Sequence, residues 1–282
     1  MIRKNEVSII LIAYRSEKKI NEFVKKIPKQ IKTIIIENSN DLKLKKKIER
    51  KYKNIRVYIK KNNGVSSSIN YAIKKIKTKY FLQISPDIVM DYKDIDKFLK
   101  AAKKLKDCFA ALGPRFINVN KKSHKQINQK LYIGSIESIH GSCMFINKNR
   151  YKEIGGFDDK FFLYFEETDY CRRGRNKNLK SYQINSIKVK QKGRTVNINN
   201  KKENKKLVNL LAWHFIWSEF YYNKKKIGHL LTIIYFFPLL IRTVFKIILN
   251  EISKNNQKQE RYKYRLKGLI SAIKGQKSYL RL

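Results

Sequence analysis

The first hundred residues alternate between short unbroken apolar runs and longer mixed segments. Val7 to Ala13, VSIILIA, is continuously apolar and rich in β-branched residues, as expected of a strand covered on both faces. In the next segment Ile20, Phe23, Val24 and Ile27 recur at i, i+3, i+4 and i+7, forming one helix stripe. The alternation then repeats. Thr33 to Glu37 predicts a second strand, LKLKKKIERKY a basic helix, and Ile55 to Ile59 a third strand. SSSINYAIKKIKTK predicts a helix with Ile69, Ala72, Ile73 and Ile76 inward, and Tyr80 to Ile84 a fourth strand. Repeated βα units imply an α/β fold with a mainly parallel sheet and helices on both faces. In the usual doubly wound order, strands 1 and 4 are neighbours at the switch point, and ligands bind beyond their carboxyl ends. Strand 1 ends at Ala13-Tyr14-Arg15 and strand 4 at Ser85-Pro86-Asp87, which places Asp87 in the ligand crevice. Taken alone, a carboxylate after Pro86 reads equally well as a turn or helix-cap residue.

The pattern then becomes less regular. Cys143 to Ile146 predicts a short strand, a helix starts near Lys148, Gly155-Gly156 is a turn, DYCRRGRNKN reads as a helix and YQINSIKVK as a strand. After about residue 200 the composition changes sharply, dividing the chain into a domain over 1–203 and a helical segment over 204–282. Ile227 to Ile241 carries no charge, but it is shorter than the roughly 20 apolar residues a spanning helix needs, and Pro238 interrupts it. Lys224, Lys225 and Lys226 precede the run; Lys254, Lys258, Arg261, Lys263, Arg265 and Lys267 follow it. Basic flanks prefer the cytoplasmic side of a membrane, and here both flanks are basic. Three arrangements answer to this pattern: attachment at a membrane surface, a true span, or a helix pair packed within the domain. Attachment to an anionic membrane is the expectation, with the protein cytoplasmic at the inner face of the cell membrane.

Composition sharpens this picture only in part. The 282 residues are 42% hydrophobic and 12% aromatic, as in a folded protein. The formal net charge of +43 favours anionic partners. A non-enzymatic, nucleic-acid-binding protein is the alternative reading. Such a site would cluster its cations with exposed aromatics, whereas these lysines punctuate every helix and loop, with Ile and Asn, as an AT-rich coding bias would give. No nucleic-acid partner is therefore expected. Cys108, Cys143 and Cys171 form no CxxC pair or Cys/His metal spacing, which suits a reducing compartment. The basic start and apolar run of the N-terminus imitate a signal peptide. The run passes into RSEKK with no small-residue cleavage site, so a buried first strand explains it better. GxGxxG and GxxxxGK[ST] are both absent. His140 and His214 stand among apolar or aromatic neighbours and read as packed, hydrogen-bonded histidines.

One stretch, FFLYFEETDYCRR, crowds Glu166, Glu167 and Asp169 into four residues of a chain with 22 acidic residues in all. Like charges raise a carboxylate's pKa toward working pH, which suits a general base. The plainer reading pairs Glu166 and Asp169 with Arg172 and Arg173 at a helix start, where acids are favoured.

Five motifs in order then resemble the family 2 glycosyltransferases of GT-A fold, most closely their rhamnosyltransferase-like branch. VSIILIAYRS looks like the family's first-strand motif, IIIENSND is similar to its VVDNxSxD segment, and NNGVSSSINYAI to its NxGfaxaxNxGi segment. FLQISPD stands where the family has a strand ending in NPD, and GSCMFINKNRYKEIGGFDDKFFLYFEETDYCRR resembles its long GGFD and ED signature. The resemblance covers about residues 7 to 195. It implies a GT-A catalytic domain followed by the apolar and basic C-terminal helices. The activity implied is inverting transfer of a sugar, rhamnose among the candidates. The donor would be a nucleotide-diphosphate sugar, the acceptor a hydroxyl of a growing bacterial cell-surface polysaccharide or lipid-linked glycan.

The same resemblance implies the site. Tyr14 and Glu37 would hold the nucleoside, with Asn38 beside them, and Asn62, Gly64 and Asn70 would shape the loop next to the nucleotide. Asp87 would meet the sugar diphosphate and a divalent cation, Mg2+ or Mn2+. Glu167 falls on the general base, Glu166 precedes it, and Asp169 falls on the acid that shapes the acceptor side. Three departures stand out. The base position holds Glu instead of Asp, Ser85 replaces an Asn or Asp, and the late His of many relatives is missing from KVKQKGRT, where Lys190 and Arg194 are candidates to meet phosphate.

Overall fold

The computed structural model describes residues 6–118, 125–196, 198 and 200–281. The chain forms two compact units. Met1–Asp158 with Glu166–Asn197 make an α/β unit, and Asp159–Phe165 with Ile198–Leu282 make a helical unit. The sheet-bearing unit thus ends at Asn197, and seven residues from its middle, 159–165, belong to the helices. The basic residues at the very start of the chain lie outside the described residues.

In the α/β unit, β1 (Val7–Ala13), β2 (Lys32–Glu37), β3 (Ile55–Ile59) and β4 (Tyr80–Ile84) are the parallel strands the apolar runs predict. The helices α1 (Glu17–Val24), α2 (Leu42–Lys51) and α3 (Val65–Ile73) alternate with them. The strand order β3-β2-β1-β4 continues through β8 (Cys143–Asn147), β6 (Leu112–Phe116) and β9 (Ser181–Gln191) to the two-residue β5 (Ile88–Val89), while β7 (Ile133–Ile136) pairs with β9. Direction reverses at β4, because β8 runs antiparallel to it with Tyr80 opposite Asn147 and Ile84 opposite Cys143. The switch point expected between strands 1 and 4 is present as well, since β1 pairs directly with β4, Val7 opposite Tyr80. Residues on alternate sides of each strand feed two apolar cores. Ile9, Leu11, Ile35, Val57 and Leu82 point to one; Ile10, Ile34, Ile36 and Phe81 point to the other, with Ile69, Ala72 and Ile73 of α3.

Between β5 and β8 lie a one-turn 3-10 helix, α4 (Ile95–Lys104), β6 and β7; β8 leads into α5 (Lys148–Ile154). Asn147 caps α5, accepting from Asn149 N at 2.9 Å. Gly155 and Gly156 end it with φ of 94° and 68°, a left-handed pair that favours glycine. The acidic stretch opens α6 (Glu166–Arg175), so the helix starts three residues earlier than DYCRRGRNKN suggests.

The helical unit contains α7 (Lys201–Ile227), α8 (His229–Ile252) and α9 (Asn256–Ile273), packed around Trp213, Ile216, Trp217, Phe220, Phe236 and Leu269. The helix α8 corrects the expectation of a run cut at Pro238. It continues through the proline for 24 residues, long and apolar enough by length and composition to cross a membrane, with mean hydropathy 1.9 over its most apolar window. Its burial is inverted. Thr232, Phe236 and Thr243 face inward, while Leu230, Leu231, Ile234, Ile241, Phe245 and Ile248 are exposed. Both threonine hydroxyls donate back to helix carbonyls, Gly228 O at 2.6 Å and Leu239 O at 2.7 Å, which satisfies them without a side-chain partner.

Candidate active site

The carboxyl ends of β1 and β2 shape one side of the crevice. Arg15, just past β1, has a left-handed φ of 45°, and its backbone N–H donates to Ser39 Oγ at 3.0 Å. Its guanidinium lies 5.7 Å from the ring of Tyr14. Arg15, Glu17, Lys18, Ser39 and Asp41 line an open cavity of about 540 Å³. Glu37, at the end of β2, turns its carboxylate back into the loop. Oε1 accepts from Ser39 N at 2.9 Å and from the Ser39 hydroxyl, and Oε2 accepts from Asp41 N at 2.8 Å. In this structure Glu37 holds the Ser39–Asp41 loop, two residues of which line the cavity.

Asn38 points the other way, toward α3. Its Nδ2 donates to Ser68 Oγ at 2.8 Å, and that hydroxyl donates to Gly64 O at 2.8 Å. A serine has one hydroxyl proton and Gly64 O can only accept, so Asn38 must present its NH2 group to Ser68. Its Oδ1 is thereby left as a buried acceptor with no donor among the described residues. Gly64 precedes α3 with φ of 99°, a conformation that costs a side-chain-bearing residue, and Asn62 Oδ1 accepts from Gly64 N at 3.3 Å. Asn70 is committed elsewhere. Its Nδ2 donates to Phe157 O at 2.8 Å and its Oδ1 accepts from Phe157 N and the Tyr151 hydroxyl. It pins α3 to the glycine turn after α5.

Asp87 lies past β4 as topology predicts, 2% exposed. It caps no helix. Oδ2 accepts from Gln191 Nε2 at 2.9 Å, Oδ1 from the Thr195 hydroxyl at 2.8 Å, and its backbone carbonyl from Lys192 N at 2.7 Å. The end of β9 therefore folds over the carboxylate. Gln191 and Thr195 went unread as site residues because only the β5–β9 pairing, 100 residues apart in sequence, brings them there.

The loop His140-Gly141-Ser142, entering β8, joins the Asp87 turn to the acidic helix. Ser142 O accepts from Ser85 N at 2.8 Å. A Cβ on Gly141 would meet Glu167 Cδ at 3.4 Å, so the Glu167 side chain lies directly over this glycine. His140 Nδ1 accepts from Ser142 N at 3.2 Å and is 2.6 Å from Ser142 Oγ, which fixes the proton of the neutral ring on Nε2. The packed-histidine reading holds here.

The three acids of α6 have separate environments. Asp169 is fully buried; its oxygens meet Arg173 Nε at 2.7 Å and Arg172 Nη2 at 3.3 Å. Arg173 also donates to Ile154 O and Gly156 O at 2.7 and 2.6 Å, which locks the glycine turn to the helix. The arginine pairing expected for both Glu166 and Asp169 is thus found for Asp169; among the described residues no ion pair involves Glu166. Its Oε2 is buried and has no hydrogen-bond partner there. Desolvation, with the neighbouring Glu167 charge, pushes the Glu166 pKa up to about 8. Burial also raises that of Glu167, whose Oε1 is 3.5 Å from the Thr168 hydroxyl.

A raised folded-state pKa means that the stability Glu166 contributes is complete below the ordinary carboxylate range and is lost as pH rises toward 8. Glu166→Gln is accordingly expected to raise the melting temperature by a few degrees at pH 8, with the gain vanishing near pH 4 to 5. Thermal melts across that range check it; a constant or reversed difference would show that Glu166 is ionised in the fold.

Residues 8–246 match the sequence pattern of "Glycosyl transferase family 2". The chain belongs to that family. This family 2 chain is 24% identical over 199 residues to the "Low-salt glycan biosynthesis hexosyltransferase Agl10" of Haloferax volcanii, a match spanning 62% of this chain and 63% of that protein. Among solved structures it is similar to the mannosyltransferase PcManGT of Pyrobaculum calidifontis in complex with GDP-Man and Mn2+. The TM-score is 0.59 at 10% identity, covering 96% of this chain and 88% of that one. It is also similar to residues 1–349 of S. aureus TarS in complex with UDP-GlcNAc, with TM-score 0.53 at 14% identity, covering 98% and 93%. The family 2 chain therefore has the GT-A-like fold that its motifs imply.

Proposed function

We propose that this chain is a glycosyltransferase that moves a hexosyl group, rhamnose among the candidates, from a nucleoside diphosphate sugar to a hydroxyl of a glycan or lipid-linked acceptor, with inversion. One observation carries the reading. The two carboxylates with suitable chemistry, Asp87 and Glu167, flank a single loop, tied to one by the Ser85–Ser142 hydrogen bond and packed under the other at Gly141. The cavity lined by Arg15, Ser39 and Asp41, with Tyr14 and Glu37 beside it, would take the nucleoside.

In the transfer, the acceptor oxygen attacks the anomeric carbon as the bond to the diphosphate oxygen breaks, and its proton passes to Glu167. The desolvated Glu167 carboxylate has a raised pKa, which strengthens it as a base. Asp87 would hold the diphosphate end together with a divalent ion. Among the described residues no group of three or more His, Cys, Asp or Glu side chains could hold a metal. The group around Asp87 nonetheless fits Mg2+ or Mn2+, since the carboxylate oxygens and the Thr195 hydroxyl beside them are hard ligands, and such ions are commonly held by one or two carboxylates plus substrate phosphates. When bound, the ion would neutralise charge developing on the leaving diphosphate. Purified protein screened against UDP-glucose, UDP-N-acetylglucosamine, GDP-mannose and dTDP-rhamnose, with and without Mn2+, scored for nucleotide release and thermal shift together, tests the reading. Neither signal with any donor would count against it.

The outward face of α8 is proposed to lie in an anionic membrane surface. The exposed apolar residues are bracketed by Lys224, Lys225 and Lys226 on one side and by Lys254, Lys258 and Arg261 on the other, which favours both ends on the cytoplasmic face. Exposed Arg242, in the middle of the helix, is costly in a bilayer centre but not at its interface. Each basic residue near such a surface adds about 1 kcal/mol, screened by salt. Full-length protein is therefore expected to pellet with phosphatidylglycerol liposomes at low salt, and a form truncated after residue 197 to stay in the supernatant. Equal partitioning of the two forms would reject the proposal.

A further inference from the structure

Asp87 is almost wholly shielded from solvent, yet the chain that covers it is not buried. From Gln191 to Val196 every residue is exposed or half-buried, and Lys192, Gly193 and Arg194 in the middle are exposed. A single layer of chain, with solvent on its far side, thus lies over the carboxylate. Its near end is fixed. Gln191 closes β9 opposite Ile88, and Asn118 holds its backbone, donating to Gln191 O at 2.8 Å and accepting from Gln191 N at 2.9 Å. Beyond Gln191 this strap turns at Gly193, whose φ of 70° favours glycine.

Two of the strap's ties run to Asp87 itself. Lys192 N donates to its backbone carbonyl at 2.7 Å, and the Thr195 hydroxyl to Oδ1 at 2.8 Å. A third comes from α1. The Lys19 ammonium donates to Lys192 O at 2.6 Å, 173 residues away in sequence. Lys19 follows directly on Glu17 and Lys18, which line the cavity at the end of β1 together with Arg15. One helical turn therefore carries both a wall of that cavity and a tie on the cover of Asp87. The Lys19 bond is exposed, so water competes for both of its ends. Segments held by solvent-exposed hydrogen bonds, with few buried contacts, are those that open locally.

We infer that Lys19 is a positioning residue: its hold on Lys192 O keeps the 192–196 strap closed over Asp87, and the carboxylate is uncovered when that hold is released. The importance of this for transfer rests on the proposed role of Asp87 at the diphosphate end. An ammonium suits a releasable tie. Its three donors sit on a flexible stem, and a phosphate oxygen is a stronger, charge-assisted partner than a neutral carbonyl. A diphosphate arriving beside Asp87 would therefore draw Lys19 off Lys192 O and open the strap as it binds.

Lys19→Ala and Lys19→Arg in the full-length chain, without donor or metal, test this by amide hydrogen exchange. Lys19 is exposed, so both variants should fold. In Lys19→Ala the amides of residues 192–196 are expected to exchange about three- to tenfold faster, with β1 and residues 181–189 of β9 unchanged. Lys19→Arg, whose guanidinium can still donate to Lys192 O, should return exchange to near the wild-type rate. Lys19→Ala is also expected to bind Mn2+ about three- to tenfold more tightly, followed by electron paramagnetic resonance, since a closed population no longer lowers the apparent affinity. Wild-type exchange at 192–196 in Lys19→Ala, or quickened exchange with a measurable but unimproved Mn2+ affinity, would overturn the inference. The exchange measurement uses neither donor nor cation, so its failure is distinct from failure of the glycosyltransferase reading.

Discussion

Glu167→Gln is expected to lower turnover by about 10²–10⁴-fold while leaving nucleotide affinity unchanged, the usual consequence of removing a positioned base. The amide keeps the shape over Gly141 and the contact with Thr168 but cannot take the acceptor proton. Affinity is spared because the residues proposed for the nucleotide lie at the ends of β1, β2 and β4. Asp169→Asn should behave in the opposite way. Asp169 is fully buried between two arginines, and Arg173 spends its remaining donors on Ile154 O and Gly156 O. Removing one charge from a buried pair typically costs about 3–5 kcal/mol, so this variant should melt well below wild type while its folded fraction turns over nearly normally. Turnover at saturating donor and acceptor, set beside melting curves, separates the two. If Asp169→Asn is folded and inactive while Glu167→Gln works, the base is Asp169.

Asp87→Ala is expected to lower transfer by at least about 10³-fold, the scale of several kcal/mol of lost charge stabilisation at the leaving diphosphate. The substitution also strands the Gln191 amide and the Thr195 hydroxyl, each previously donating to the carboxylate. Both donors are only partly buried and can turn to water, so a small fall in stability, below the about 1–3 kcal/mol of a fully buried unmet donor, should accompany the loss of rate. Asp87→Asn restores part of the hydrogen bonding but not the charge. It should recover stability without recovering transfer. Nucleotide release from whichever donor the wild type turns over, with Mn2+ present, measures this; near-normal release by a folded Asp87→Ala protein would remove Asp87 from the diphosphate end.

Much of the parallel half of the sheet was legible in the chain. Runs such as VSIILIA and TIIIE are buried on both faces, so they announce parallel strands without help from their neighbours, and the pairing of β1 with β4 followed from the usual doubly wound order. The stripe Ile95, Phe98, Leu99 and Ala102 of α4 was equally regular and could have been read. By contrast β5, two residues long, and β7, four residues long and mostly half-buried, exist through their pairing with β9 and carry no pattern of their own. The roles of Glu37 and Asn70 could not be read for a related reason. Whether a polar side chain faces a ligand or its own backbone depends on loop geometry, and both of these spend their hydrogen bonds on neighbouring loops. The pairing of Asp169 with arginine was legible from i, i+3 and i+4 spacing, and the same rule already argued against pairing Glu166, from which Arg172 and Arg173 lie six and seven residues away.

The position of β9 in the sequence has a consequence for how the chain is made. The strands β1 to β4 pair with one another, so they and their helices can assemble once about ninety residues have left the ribosome, since domains build from the N-terminus. The strands β5, β6 and β7 all hydrogen-bond to β9, which is synthesised last of the sheet. Until residue 191 emerges, those three strands have no β9 ladder to join, and their unpaired backbone groups are exposed to other chains. Nascent chains halted between residues 116 and 181 should therefore be the aggregation-prone ones, and those halted near residue 90 the more soluble, although they are shorter and lack half the sheet.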